Sequence, residues 1–294
     1  AARAYRERIL AALPAGCDFT PLMTCYLTDD TAPEELREGR KQGVFSAAKL
    51  YPAGATTNSA LGVSDIEGIY PLFEVLEGIG LPLLVHGEVV DPAVDIFDRE
   101  AVFIERVLDP IRRRFPGMTV VFEHLTTAAA VAYVESQAEN LGATITPHHL
   151  MIDRNHILVG GIHPHYYCLP VAKRGSDRRA LRDAAVSGDP RFFLGTDSAP
   201  HLRSAKEGGC GSAGIFNAEG ALPCLAQVFE EEKALDRLEA FVSEFGARFY
   251  GLPLNPGRIE LRRQTAPSHG GGSLRVGEDA VEIFDPATEL HWSL

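Results

Sequence analysis

Short apolar runs alternate along the chain with longer segments whose apolar residues recur every three or four positions. In the opening stretch Tyr5, Ile9 and Leu10 share one face and Arg6, Glu7 and Arg8 cover the rest, which predicts an amphipathic helix. The run Asp18 to Leu27 has β character, and Thr31-Ala-Pro-Glu-Glu-Leu then predicts a helix start with a threonine cap, proline and first-turn acids. The alternation repeats. A strand at Val44 to Leu50 precedes a helix from about Asp65 to Leu76, and a strand at Pro82 to His86 precedes a helix from about Asp98 to Phe115. A strand at Thr119 to His124 precedes a helix at Thr127 to Leu141. Strands at Ala143 to Thr146 and Phe192 to Gly195 follow, with helical patterns between Ala221 and Tyr250. Phe97, Ala101, Ile104, Leu108, Ile111 and Phe115 form one apolar stripe, as packing on a sheet requires.

Alternating strand and helix predicts a parallel sheet. Four apolar runs end on ionisable residues, and side chains placed where strands end predict a (β/α)8 TIM-type metallohydrolase barrel. A doubly wound open sheet would carry a glycine-rich turn after its first strand, and none is present. Six strand-like runs are found where a closed barrel needs eight, and an open parallel barrel would leave two bare edges. The expectation is a barrel that lacks its first two strands in this chain. The opening helix has no N-cap before it, which predicts a start part-way into a domain. Residues 1–258 are expected to form the barrel. Residues 259–294, with Gly270-Gly-Gly and Pro286, are expected to form a C-terminal extension of irregular chain and short antiparallel β.

Composition narrows the partners. The formal net charge of −12 argues against a sequence-independent grip on nucleic acid or on an anionic membrane. Five cysteines with no C-x-x-C pair argue against a disulfide framework and predict a reducing, cytoplasmic setting. No apolar stretch approaches the ~18 residues of a membrane span, and the opening residues do not form a secretory signal.

The four strand-end residues are Lys49, His86, His124 and Asp197. Each has an ordinary structural use: hydrogen-bonded core histidines, an aspartate N-cap, and a lysine snorkelling to solvent. Two histidines in equivalent positions of successive βα units favour zinc-like ligation instead. Ammonium cannot ligate a metal. Lys49 therefore reads either as a Schiff-base nucleophile or as a lysine carboxylated to a carbamate that bridges two cations. A Schiff-base enzyme needs no histidine pair, whereas the bridge uses all four residues.

Several segments carry a resemblance. Ala47-Ala-Lys49-Leu-Tyr-Pro-Ala-Gly-Ala-Thr-Thr-Asn58, Pro82-Leu-Leu-Val-His86-Gly-Glu88, Phe122-Glu-His124-Leu-Thr-Thr and Leu194-Gly-Thr-Asp197-Ser-Ala-Pro-His201 resemble dihydroorotase, the short monofunctional bacterial type within the amidohydrolase superfamily. Asp95-Ile-Phe-Asp-Arg-Glu, Gly160-Gly-Ile-His-Pro-His-Tyr-Tyr-Cys-Leu-Pro and His291-Trp-Ser extend the likeness nearly end to end. The resemblance implies reversible cyclisation of N-carbamoyl-L-aspartate to L-dihydroorotate in pyrimidine synthesis. It implies two zinc ions per subunit bridged by carboxylated Lys49 and hydroxide, with His86 and His124 on the more exposed zinc. Asp197 ligates the other and acts as general base, then acid. It places the main-chain groups of Leu169 and Ala213 against the substrate ring and His201 on the α-carboxylate, and it makes His86 a substrate-binding residue as well as a ligand. The resemblance also implies that Thr56 and Thr57 lie in a loop that closes over the substrate, and the small polar composition of Gly54-Ala-Thr-Thr-Asn-Ser suits a lid. The subunit is expected to pair as a homodimer.

The family's first strand ends His-x-His, followed by an arginine for the substrate carboxylate, and its second ends in a substrate-binding asparagine. No such triplet precedes Lys49, and His163-Pro-His165 matches a different family segment. The missing strands equal the two that the count lacks, which predicts an absent N-terminal segment of about fifty residues. A molecule starting at Ala1 would show little turnover, while metal would still bind at His86, His124 and Lys49. Two rivals stand: another cyclic amidase, hydantoinase-like or allantoinase-like, and a non-catalytic dihydroorotase-like subunit acting through protein contacts.

Overall fold

The computed structural model describes every residue of the chain except Glu139. After helix α1 (Ala2–Ala12), six short strands alternate with helices: β1 (Thr24–Tyr26), α2 (Pro33–Lys41), β2 (Ala47–Leu50), α3 (Tyr70–Ile79) and β3 (Leu83–Val85). Next, α4 (Arg99–Phe103) runs through a π-helical stretch, Ile104–Leu108, into α5 (Asp109–Arg114). Then come β4 (Val120–Phe122), α6 (Ala128–Glu135), β5 (Leu141–Ile145), α7 (Pro147–Met151), α8 (Arg154–Leu158), α9 (Gly175–Ala185) and β6 (Phe192–Leu194). Each strand pairs parallel with the next in sequence order. This is the barrel-type succession that the alternation predicts.

The pleat sorts residues onto two faces. Ala48, Leu50, Leu83, Val85, Val120 and Phe122 belong to the large core beneath the helices. Ala47, Leu84, Val121 and Phe193 form a separate cluster on the other face, plugged by Phe245, Phe249 and Tyr250. Lys49 is two residues on from Ala47 and pairs with Leu84, so its side chain lies on this inner face. The register sets Leu50 beside Val85, and Val85 beside Phe122, which brings the residues that follow those strands to one end of the sheet.

The predicted stripe across 97–115 is borne out: Ile104, Leu108 and Ile111 are buried along the continuous helix. Other boundaries differ. The helix expected from Asp65 begins at Tyr70, because Pro52 bridges to Val63 and Asp65 is used in a turn that accepts from the Gly68 N–H. The helix expected to reach Leu141 ends at Glu135, where Ser136 turns back onto the Tyr133 carbonyl, and Leu141 opens β5. The β run Asp18 to Leu27 contributes only three ladder residues.

Beyond β6 come α10 (Arg203–Glu207), α11 (Ala221–Glu231) and α12 (Phe245–Phe249). The chain closes with β7 (Arg262–His269), β8 (Gly272–Val276), β9 (Asp279–Ile283) and β10 (Glu289–Ser293), paired antiparallel as β7 with β10 and β8 with β9. They pack on α11 and on the Phe216 segment. Trp292 Nε1 donates to Glu230 of α11 (3.1 Å), and the Phe284 N–H donates to the Phe216 carbonyl (2.7 Å). Among the described residues no helix is long and apolar enough to cross a membrane.

Candidate active site

Three of the strand-end residues meet in one pocket. His86 follows β3, His124 follows β4, and Asp197 lies just past β6. The two imidazoles sit edge to face with centroids 4.8 Å apart. His124 and Asp197 both adopt left-handed backbone, φ 46° and 43°. For non-glycine residues such a conformation costs about 1–3 kcal/mol each and persists where the surroundings impose it. Thr144 helps impose it, its Oγ1 accepting the His124 N–H at 2.8 Å.

The electrostatics suit a cation. Burial, reinforced by His86, Lys49 and His149, pushes the His124 imidazole well below its ordinary pKa, so the ring is neutral. Its Nδ1 is buried with no hydrogen-bond partner. The Asp197 carboxylate is open to the pocket, yet the protein packed behind it raises its pKa against the pull of Lys49 and His86. His86 Nε2 donates to Glu88 Oε2 at 3.3 Å, which leaves Nδ1 as the ring atom free to ligate. A neutral His124 ring with an orphaned nitrogen and the His86 imidazole, beside a carboxylate, are a donor set that fits zinc.

Lys49 is buried, and its ammonium is held by the Glu123 carboxylate, with Nζ 4.5 Å from the Tyr51 ring centroid. Burial opposes its charge, but Glu123, Tyr51 and Asp197 outweigh that and hold its pKa above the ordinary value. Lys49 does not line the pocket of the other three. It opens on a neighbouring cavity of about 1020 Å³ beside β1 and α1, and Tyr51 lines both spaces.

The pocket itself, about 180 Å³, is lined by His86, His124 and Asp197 together with Thr56, Thr57, Leu169, His201 and Ala213. Every substrate-side residue singled out in the sequence is therefore on its wall. Thr57 Oγ1 accepts the Ala213 N–H at 3.0 Å, and Ser59 pins the adjacent turn by bonding to both the N–H and the carbonyl of Thr56. The Leu169–Pro170 bond is cis. Burial and the nearby Lys206 charge lower the His201 pKa. His163 and His165 line a different cavity, and His165 pairs with Glu207, so the one His-x-His triplet lies away from Lys49.

Three groups escaped the sequence reading. Glu123 stands directly before His124, and a second ionisable residue at one strand end was its visible signal. Glu88 and Lys173 form a buried pair behind His86, Oε1 to Nζ 3.9 Å. His148, His149 and Cys168 are also buried together, with ligating atoms within 4.8 Å of one another. His149 is already satisfied there: Nδ1 meets Thr146 Oγ1 at 2.8 Å and Nε2 meets the Pro170 carbonyl at 3.0 Å. Cys168 also donates to Pro170 O, and burial pushes its thiol up to about 12. That trio anchors the segment carrying Leu169.

No family model matches the chain. Along its whole length it is similar to the dihydroorotase of a Chelativorans strain, 61% identical over 293 residues that span 100% of this chain and 85% of the relative. Its fold matches the crystal structure of the Saccharomyces cerevisiae dihydroorotase in complex with 5-fluoroorotic acid: TM-score 0.86, 32% identity, covering 99% of this chain and 84% of that one. The L-hydantoinase of Arthrobacter aurescens shares the architecture alone, with TM-score 0.71 and 16% identity over 92% of this chain and 67% of that one. A parallel barrel-type sheet that delivers histidines and an aspartate to one end fits a metal-dependent hydrolase, and the dihydroorotase relatives place it among the cyclic amidohydrolases. Within that class the chain belongs to the dihydroorotase family.

Proposed function

We propose that this protein interconverts L-dihydroorotate and N-carbamoyl-L-aspartate with the help of two zinc ions, which His86, His124, Asp197 and a carboxylated Lys49 would hold. The observation that carries the reading is the single pocket in which His86, His124 and Asp197 face Thr56, Thr57, Leu169, His201 and Ala213. When bound, zinc supplies Lewis acidity that makes water a nucleophile near neutral pH and draws electrons from the ring carbonyl.

The chain's own residues do the rest. His201 takes the substrate carboxylate, and the main-chain groups of Leu169 and Ala213 hold the ring. The Ala213 N–H, now bonded to the Thr57 hydroxyl, is released to the ligand as Thr57 turns onto the substrate. Water adds to the ring amide carbonyl, the C–N bond breaks, and Asp197 moves the proton from water to the departing nitrogen. Carboxylation of Lys49 would replace its ammonium by an anion and release Glu123 from their pairing. Five free cysteines agree with a reducing cytoplasm, and a homodimer is the expected assembly.

Turnover assays with zinc-loaded protein that carries the two preceding strands expected from the sequence test this. L-dihydroorotate should be hydrolysed while hydantoin and allantoin are left intact. Acceptance of hydantoin with indifference to dihydroorotate would reverse the assignment within the class, and absence of both turnover and bound zinc would favour a non-catalytic subunit.

A further inference from the structure

Lys206, on α10, is 4% exposed. Unlike Lys49 and Lys173, it has no carboxylate partner among the described residues. Its Nζ donates to three main-chain carbonyls: Tyr167 at 2.7 Å, Ser212 at 2.9 Å and Gly214 at 2.7 Å. That uses every N–H an ammonium has. The Gly214 N–H also donates to the Tyr167 carbonyl at 3.1 Å. One buried cation thus ties the segment that carries Leu169 to the segment that carries Ala213, and both residues line the pocket.

His201 belongs to the same assembly. A Cβ on Gly214 would come within 2.7 Å of its ring, so the Lys206-bound turn sets where His201 rests. A buried charge is costly without compensation, and three carbonyl dipoles compensate Lys206 without neutralising its field. That field already reaches His201, where it favours the uncharged ring.

We propose that Lys206 is a positioning residue for substrate: its ammonium fixes the spacing of the Leu169 and Ala213 main-chain groups and directs positive potential at the carboxylate site beside His201. The proposal rests on the dihydroorotase reading given above. It assigns Lys206 to binding rather than to chemistry, because it contacts none of the metal-type ligands.

A neutral amine would offer one donor fewer and no charge. Burial lowers the Lys206 pKa to about 8, so wild-type protein makes that change itself in mild alkali. His148 and His201 are held below 6.5, the Tyr167 phenol is raised above 10, and the Cys168 thiol sits at about 12. Glu207 shares α10, and His163, His165, Glu282 and Asp285 line the same cavity as Lys206.

Steady-state kinetics of zinc-loaded Lys206→Met with L-dihydroorotate at pH 7 test the proposal, alongside wild type from about pH 7 to about 9.5. The expected result is a KM raised about tenfold or more in the variant, with kcat within about threefold and zinc content unchanged. Wild-type KM should rise across the alkaline range. A folded variant with wild-type KM, or one that loses kcat at constant KM, overturns the proposal. If the variant does not fold, a wild-type KM that stays flat with pH overturns it. Wild type that ignores dihydroorotate would instead overturn the functional reading on which it rests.

Discussion

His86 is held from behind as well as aimed from its strand. Its Nε2 bonds Glu88, and Glu88 faces Lys173, whose Nζ donates to the Val171 carbonyl at 2.9 Å. Such outer partners fix which imidazole nitrogen is free for metal. Glu88→Gln should therefore keep the fold but weaken zinc retention about 10- to 100-fold, read by competition with a chelator. Unchanged retention would mean that His86 is oriented by packing alone. Asp197→Asn keeps the shape and removes the proton carrier, so kcat should fall by at least about 10² while the far-UV spectrum stays unchanged. His86, His124 and Asp197 are legible in the sequence because each interrupts an apolar pattern where a strand must end. The Lys173 partnership is not legible, because it joins segments 85 residues apart through side chains that no periodicity marks.

At the scale of elements, legibility follows amphipathicity. The stripe along α4 and α5 reads clearly because one face is apolar and the other charged. Helix α7 gives no such signal, since all five of its residues, Pro147 to Met151, are buried. Its burial has a consequence for stability. His149 is depressed to about 3 by burial and His148 is held well below its ordinary value, so both are uncharged in the folded protein. Unfolded, they take up protons as pH falls below about 6.5. Their contribution to stability is therefore complete above about pH 6.5 and is lost progressively down to about pH 3. Urea unfolding across that range should show falling stability, and a flat profile would contradict the buried neutral pair. The inner face of β5 offers a packing test. A Cβ at Gly142 would lie 2.7 Å from Phe249 and 2.9 Å from Phe193, so Gly142→Ala should cost about 1–3 kcal/mol and lower the urea midpoint.

Over the whole molecule the sheet separates two kinds of interior. The large core under the helices is apolar, while the other face carries a small aromatic plug and, nearer the strand ends, Lys49 and the pocket. Strands β2, β3 and β4 are buried on both faces, so their sequence does not reveal that division; the placing of ionisable residues at strand ends rather than strand starts is what can be read. The C-terminal strands are less readable. Their sequence is mostly polar and glycine-rich, and their role emerges only where Val281, Phe284 and Leu290 are buried and β10 bonds to α11. The central claim is that the metal binds where β2, β3, β4 and β6 end. A zinc-edge anomalous difference map from crystals of zinc-loaded protein tests it most directly. The account predicts peaks within ligand distance of His86, His124, Asp197 and the Lys49 side chain, with extra density on Nζ for the carbamate. Peaks at His148, His149 and Cys168 with none in the pocket would contradict it.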